Sequence, residues 1–423
     1  MSRVSRIVVP SVLTAALVAA HLAAVPALSD PVAGAAPSSL HLQAPWPYLG
    51  LGPVFTLWDG ISMLSMSRLK GFLTGLALLS LIWRLLVARR HFSPVRELRV
   101  LAIALVLLLV FLAAGALWHR PMLALAGTSR DDIVVDFHSH TNLSHDVRDT
   151  WMRGFDREAS RRWHARAGFD AAFITDHNVV SRESRVASRD RSATMNDERA
   201  VALCPGIEVS AWRSHIVLLG DTLPVDRGRY NNSLDALLAL LGTSDSVYGA
   251  LSVASLPEYR KNHWDRLDLL TRAGLDGFEV VNASPKGNEI TQRERDSVVA
   301  LARAQNRFVV GVSDSHGWGA TNMVWNLVRA PNSAGSDVCA TVLHELRSGF
   351  PAVRIIERHR LRPDAWWPLW LTPIGVVWET WRSMGAALMV SWLVWIWGLA
   401  LVAGRVRRKV DRPKRQPTAG RTS

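Results

Sequence analysis

The chain has 423 residues, 49% of them hydrophobic, with a formal net charge of +13. That length accommodates one large domain plus membrane segments, or two ordinary domains. More than half of the positive excess lies in the last twenty residues, GRVRRKVDRPKRQPTAGRTS, which hold eight Lys/Arg against one Asp. They follow an apolar run directly, as a stop-transfer flank does, so the charge points to membrane topology and no nucleic-acid partner is expected.

In chain order, IVVPSVLTAALVAAHLAAVPAL (7–28) follows Arg3 and Arg6, and segment 1–29 is expected to be an uncleaved signal anchor or a signal peptide cut after Ala27. GFLTGLALLSLIWRLLVA (71–88) is a candidate transmembrane helix with Arg84 near enough to one end to snorkel. LRVLAIALVLLLVFLAAGALW (98–118) is the clearest span, and GAALMVSWLVWIWGLALVAG (385–404) is the last. The basic flanks ARRHFSPVRELR (88–99) and 405–423 are expected in the cytoplasm, which places everything between 118 and 385 outside. The expected location is therefore the cell membrane, multi-pass, with the soluble part extracytoplasmic. GPVFTLWDGISMLSMS (52–67) is not read as a span, because it is short and contains Asp59. WWPLWLTPIGVVWETW brings Trp366, Trp370, Trp378 and Trp381 near one face, so 366–382 reads as an interfacial segment leading into the last span.

Between 130 and 362 the composition is globular, with β-rich runs DIVVDFHSH, DAAFITDH, GIEVSAW, HIVLLG, GALSVAS, GFEVVN and RFVVGVSDSH. Helix-like stretches such as FDREASRRWHARAG and NEITQRERDSVVALARAQN separate several of them. Ser233 is a plausible N-cap for LDALLALLG with Gly242 as its stop, and SDVCATVLHELRSG ends similarly at Gly349. Strand–helix alternation implies a parallel sheet, and seven such strands suit a closed barrel. Cys204 and Cys339 lack ligand-like spacing and are expected to be two separate buried thiols.

The chemistry concentrates at strand ends. Alternate side chains of a strand share a face, so Asp136, His138 and His140 in VVDFHSHTNLSHD point one way, at the end where parallel barrels carry their sites. Other strands end in Asp176 and His177 (ITDHN), Glu208 (GIEVS), and Asp314 and His316 (GVSDSHG), while His215 opens its strand. Imidazoles and carboxylates converging in this way call for a cation, and first-row divalent metals accept that mixture.

DFHSHTNLSH, GFDAAFITDHN, PGIEVS and GVSDSHG resemble, in order, the motifs of the PHP (polymerase and histidinol phosphatase) family of metal-dependent phosphoesterases. The resemblance covers roughly 130–330 and implies a distorted (β/α)7 TIM-like barrel, here flanked by transmembrane helices. It further implies two or three Zn, Mn or Fe ions. On it, His138, His140, Glu208 and Asp314 hold one metal; Glu208 bridges to a second that His215 also holds; and His177 and His316 hold a third. Either His145 or Asp146 completes that third set, Asp146 being preferred because an inserted histidine would restore the family's Ser–Asp order. Glu208, Asp314 and His177 are the ligands expected to matter most for catalysis. The family's usual His-Pro is replaced by Leu256-Pro257, which removes a ligand from the second site; His263 is a conceivable substitute. Lys286, Arg260 and Lys261 follow strand ends and could grip a phosphate, with Asn282 and Ser284 near the mouth. Asp176 either orients His177 or caps its turn.

The resemblance implies a membrane-anchored phosphoesterase acting on a phosphorylated small molecule or envelope-derived substrate. An inactive barrel that binds a phosphorylated envelope component, and an amidohydrolase-type enzyme, are the alternatives.

Overall fold

The computed structural model describes residues 3–87, 93–180, 201–221, 224–331 and 337–410; of the basic flanks, 88–92 and 411–423 lie outside the described residues. All seven β-rich runs form strands: β1 (Asp132–Ser139), β2 (Ala171–Ile174), β3 (Ala202–Ala211), β4 (Ser214–Leu219), β5 (Leu251–Ala254), β6 (Gly277–Asn282) and β7 (Phe308–Val312). Two further strands, β8 (Val324–Arg329) and β9 (Val353–Arg358), were not anticipated. With a two-residue edge strand at Leu28–Ser29 they make one ten-stranded sheet, in the order edge–β9–β8–β1–β2–β3–β4–β5–β6–β7.

The fully parallel sheet expected from strand–helix alternation is corrected to a mixed one. β1–β2–β3 and β5–β6–β7 run parallel, but β3–β4, β4–β5, β1–β8 and β8–β9 are antiparallel. The reason is connection length. Trp212 and Arg213 alone join β3 to β4, with Arg213 at φ +49°, and two residues permit a hairpin but no helical crossover. The sheet curls so that its last strand returns to its middle. Asp314 N–H donates to the His138 carbonyl and His140 N–H to that of Ser315, both at 2.9 Å. Asn326 of β8 stitches the same seam: its Nδ2 donates to Val135 O at 2.8 Å, and its Oδ1 accepts Gly311 N–H at 2.8 Å. The result is a curled half-barrel.

Helices cover the outside, and their ends follow local sequence. Ser233 caps the helix Leu234–Tyr248 by accepting Ala236 N–H at 3.1 Å. The helix does not stop at Gly242. It runs on to Gly249, whose φ of +64° supplies the left-handed stop, because Leu241, Ser244 and Tyr248 keep one face buried past Gly242. The helix Gln292–Ala304 opens on a capping box between Thr291 and Glu294. The helix Val338–Leu346 carries Cys339, which is disulfide-bonded to Cys204 of β3 with Cα atoms 5.4 Å apart. This corrects the expectation of separate thiols. A helix packed on the strand joins residues 135 positions apart, a proximity that spacing alone does not encode.

Among the described residues, three helices are long and apolar enough to cross a membrane, within Met66–Leu86, Pro94–Leu117 and Ala386–Ala403. Ile7–Leu22 is a shorter apolar helix. Segment 52–67 holds the eleven-residue helix Gly52–Ser62 and the first two residues of the helix Met66–Val87. The Trp-rich segment holds a twelve-residue helix, Thr372–Ser383, with Trp366 and Trp370 exposed and Trp381 buried against Trp392.

Two buried polar knots fasten these helices to the barrel. Arg68 donates to the carbonyls of Arg362, Pro363, Ala365 and Trp367. Asp59, the residue that argued against a span, pairs with Arg120 at 2.8 Å and with Arg358 at 3.1 Å, and accepts the Tyr48 hydroxyl at 2.8 Å. The two guanidiniums hold its carboxyl below the usual range despite the opposing effect of burial. Asp59→Asn would leave two buried cations short of a counter-charge, so it should lower the unfolding free energy by about 3–5 kcal/mol. Thermal unfolding of the full chain in detergent measures this, and an unchanged midpoint would contradict it.

Candidate metal centre

Backbone geometry at the rim brings the polar residues together. β1 delivers His138 and His140 two residues apart, so both rings turn to the same side. Asp314 follows β7 with φ +47°, a left-handed conformation costly for a non-glycine residue, and its carboxylate oxygen lies 3.4 Å from His140 Nε2 and 3.7 Å from His138 Nε2. Glu208 of β3 divides its oxygens: Oε2 is 3.2 Å from His138 Nε2, 3.4 Å from His140 Nε2 and 3.2 Å from His177 Nε2, while Oε1 is 2.9 Å from His215 Nδ1. Asp146 Oδ2 lies 3.1 Å from His177 Nε2 and 2.8 Å from His316 Nε2.

Among the described residues three overlapping groups result, each of which could hold a metal ion: His138, His140 and Asp314; His177, Glu208 and His215; and His140, Asp146, His177 and His316. All eight residues anticipated as ligands therefore lie in one connected cluster. His145 does not join it; its ring packs 5.1 Å from that of His177.

The donor set suits a cation. His138 Nε2 and His140 Nε2 face each other at 3.0 Å with carboxylate oxygens on either side. A proton shared between the two ring nitrogens leaves the carboxylate oxygens beside them without a donor, whereas a divalent ion satisfies nitrogens and carboxylates together. Electrostatics agree. Burial opposes charge on His138, but the carboxylates of Glu208, Glu279 and Asp314 outweigh it and push its pKa well up. Burial is likewise overcome at His215, by Glu208, and at His316, by Asp314 and Asp146; both stand at about 9. His140 is instead pushed down to about 4, by burial and then by His316. The negative field that draws protons onto three of these rings attracts a divalent cation, which must displace them.

Several expected roles change in the folded chain. Asp176 caps the loop after β1, accepting Thr141 N–H at 2.6 Å and Thr141 Oγ–H at 2.8 Å, and does not reach His177. The Asp136 carboxylate is held by His164 at 3.0 Å and by Ser313, outside the three groups. Leu256 is buried in the apolar core. His263 is also buried, with Nε2 3.2 Å from the Trp212 carbonyl, so it does not replace the missing ligand. Arg260 pairs with Glu294 at 3.0 Å, Lys286 and Lys261 are exposed, and Asn282 binds Glu279 and Ser284. None of Arg260, Lys261, Asn282, Ser284 and Lys286 joins the three groups.

Three features escaped the sequence reading. Glu279, fully buried on β6, contacts His138 Nδ1 at 2.6 Å and accepts Leu256 N–H at 2.9 Å, so it fixes the ring that presents Nε2 to the cluster. Only its position, an acidic residue inside the apolar run GFEVVN, could have flagged it. Glu258, two residues after Leu256, feels His215, Glu208 and Asp314, and burial raises its pKa. Finally, a hollow of about 370 Å³ beside His177 is lined by His145, Arg148, Asn178 and Arg227 among others. For Glu279→Gln we expect a 10–100-fold loss of metal affinity or turnover with the fold retained; wild-type metal affinity and turnover in that variant would remove Glu279 from the site.

Comparison with known proteins gives limited likenesses. No protein-family model and no curated protein matches the sequence. Among solved structures, PsfC from Pseudomonas syringae PB-5123 matches at 18% identity and a TM-score of 0.35, over 60% of this chain and 98% of its own. A candidate metal-dependent phosphoesterase from Bifidobacterium adolescentis matches at 17% identity and a TM-score of 0.32, over 51% of this chain and 96% of its own.

Proposed function

We propose that this chain is a membrane-anchored, metal-dependent phosphoesterase of the PHP type. The observation that carries the reading is the convergence of His138, His140, His177, His215 and His316 on Asp146, Glu208 and Asp314. These residues would hold divalent ions, which when bound would lower the pKa of a water and offset charge on phosphoryl oxygens. Glu208 would contribute to holding more than one ion, because its two oxygens face different imidazoles. Glu279 sets the tautomer and aim of His138. Glu258 and His215 feel each other's charge, but Glu258 belongs to none of the three groups. Arg148 and Arg227, in place of Arg260 and Lys286, orient the phosphate in the hollow beside His177.

The barrel lies outside the cytoplasm on this reading. Two of the apolar helices meet the barrel at one end: Met66 N–H donates to Pro285 O, and Gly319 packs on Ala116. The basic flanks sit at the opposite ends, as the positive-inside rule requires, and the Cys204–Cys339 bridge suits an oxidising compartment.

The test is turnover of p-nitrophenyl phosphate and bis-p-nitrophenyl phosphate by the full chain in detergent with Mn or Zn, alongside amide and ester substrates. A periplasm-active reporter fused after Arg130 should be active and one after Lys409 inactive. Cleavage of amides alone would overturn the phosphoester assignment. Substrate binding without turnover would favour an inactive binding barrel, the reading that Leu256 supports.

A further inference from the structure

The clustered ligands lie toward one rim of the curled sheet, where β1, β2, β3 and β7 end and the antiparallel β4 begins. That rim also meets the anchor. β6, β7 and β9 end on it, since β9 returns to the direction of β1 through the antiparallel β8. The loop after each of the three touches the end of an apolar helix. After β6, Pro285 O accepts Met66 N–H at 3.0 Å and Glu289 accepts the Ser67 hydroxyl at 3.0 Å. After β7, Gly319 lies against Ala116 with no room for a side chain between them, and the Trp318 ring is centred 4.2 Å from that of His119. After β9, four carbonyls between Arg362 and Trp367 take the Arg68 guanidinium.

Spacing along the chain gives a depth. Ala116 is the penultimate residue of the candidate span Pro94–Leu117. Its neighbour Gly319 follows His316 by three residues, at most about 10 Å of extended chain. The headgroup layer outside the hydrocarbon is about 5–8 Å thick on each side. The metal centre therefore stands in that layer or immediately above it. Side chains at this level suit it: Trp118 is exposed, Arg162 lies over the Trp318 ring, and Arg166 donates to the His119 carbonyl at 2.7 Å. Trp151 is 68% exposed, and its neighbour Met152 packs on Gly317 of the same loop.

We propose that the substrate is a lipid phosphate, a phosphomonoester whose alcohol part stays in the bilayer while its phosphate reaches the metal centre. This rests on the phosphoesterase reading and names its substrate class. A soluble ester gains nothing from a site held at this depth, whereas a lipid phosphate is confined to the layer the site occupies. In the hydrolysis, the oxygen of water forms the new bond to phosphorus, and the bond from phosphorus to the lipid oxygen breaks. That oxygen takes up a proton from the water and leaves as the alcohol, and inorganic phosphate passes into solution.

The test compares hexadecyl phosphate with butyl phosphate, which share a head and differ only in the tail. The full chain is assayed in neutral-detergent micelles with Mn or Zn, and p-nitrophenyl phosphate is run alongside. Hexadecyl phosphate should show a kcat/KM about tenfold or more above that of butyl phosphate, because confinement to the micelle surface raises its effective concentration. Its rate at fixed bulk concentration should fall as detergent is added, while the butyl phosphate rate stays constant. Trp151→Glu should raise KM for hexadecyl phosphate several-fold and leave p-nitrophenyl phosphate turnover unchanged. Equal kcat/KM for the two alkyl phosphates, a hexadecyl phosphate rate unmoved by added detergent, or an unmoved KM in Trp151→Glu would each overturn the proposal. If p-nitrophenyl phosphate is still cleaved in that case, the lipid assignment alone falls; if no phosphate ester is cleaved, the phosphoesterase reading falls with it. The wild-type comparison stands even if Trp151→Glu does not fold.

Discussion

Glu208→Gln should leave the fold intact and reduce metal-dependent turnover by about a thousandfold or more. The substitution keeps the shape of a side chain that is 2% exposed, but it replaces one carboxylate oxygen with an NH2 group among four imidazoles. No other carboxylate in the cluster touches so many rings, so its loss disturbs all three candidate groups through His138, His140, His177 and His215. Asp146→Asn, confined to the His177 and His316 side, should be milder. Steady-state rates and bound metal measured on the same preparations check this ordering. Near-normal metal content and rate in Glu208→Gln would remove it as the bridging ligand.

The second large effect is expected from the disulfide. Cys204 and Cys339 close a loop of 135 residues, and a cross-link of that span stabilises by about 5 kcal/mol in the chain-entropy account. For a domain of this size that corresponds to roughly 10–20 °C in the unfolding midpoint. Cys204→Ser with Cys339→Ser, or the wild type under reductant, should unfold that much earlier while the metal ligands stay unchanged. Because the bridge ties the helix Val338–Leu346 to β3, the strand that carries Glu208, metal affinity should weaken together with stability as temperature rises. A midpoint within about 2 °C of wild type would contradict the account.

Much of the site was legible because its signal is local. His138 near the end of β1 and His140 just past it are two positions apart, and ITDHN, GIEVS and GVSDSHG place their polar residues where apolar strand runs end. Convergence follows from β7 returning to β1, and the motifs needed no knowledge of that closure. Other features depend on partners remote in sequence. Arg260 looked free until the fold brought Glu294 to it, and Cys339 looked isolated until its helix packed on β3. Glu279 left no motif, since one glutamate inside a buried strand has meaning only once His138 stands opposite. β8 and β9 were missed because no helical pattern flags an antiparallel return, and Asn326 and Arg354 interrupt their apolar runs. Gly242 misled as a stop, since tertiary burial of Tyr248 and Ser244 carries the helix past it.

The measurement closest to the central claim is the metal content of the purified full chain, followed through chelation and reloading while phosphoester turnover is recorded. The account predicts two or three equivalents of divalent metal per chain, loss of turnover as the first equivalent leaves, and recovery of both when Mn or Zn is returned. A chain that holds no divalent metal after exposure to Mn, Zn or Fe, or that turns over phosphoesters equally well when stripped, would contradict it.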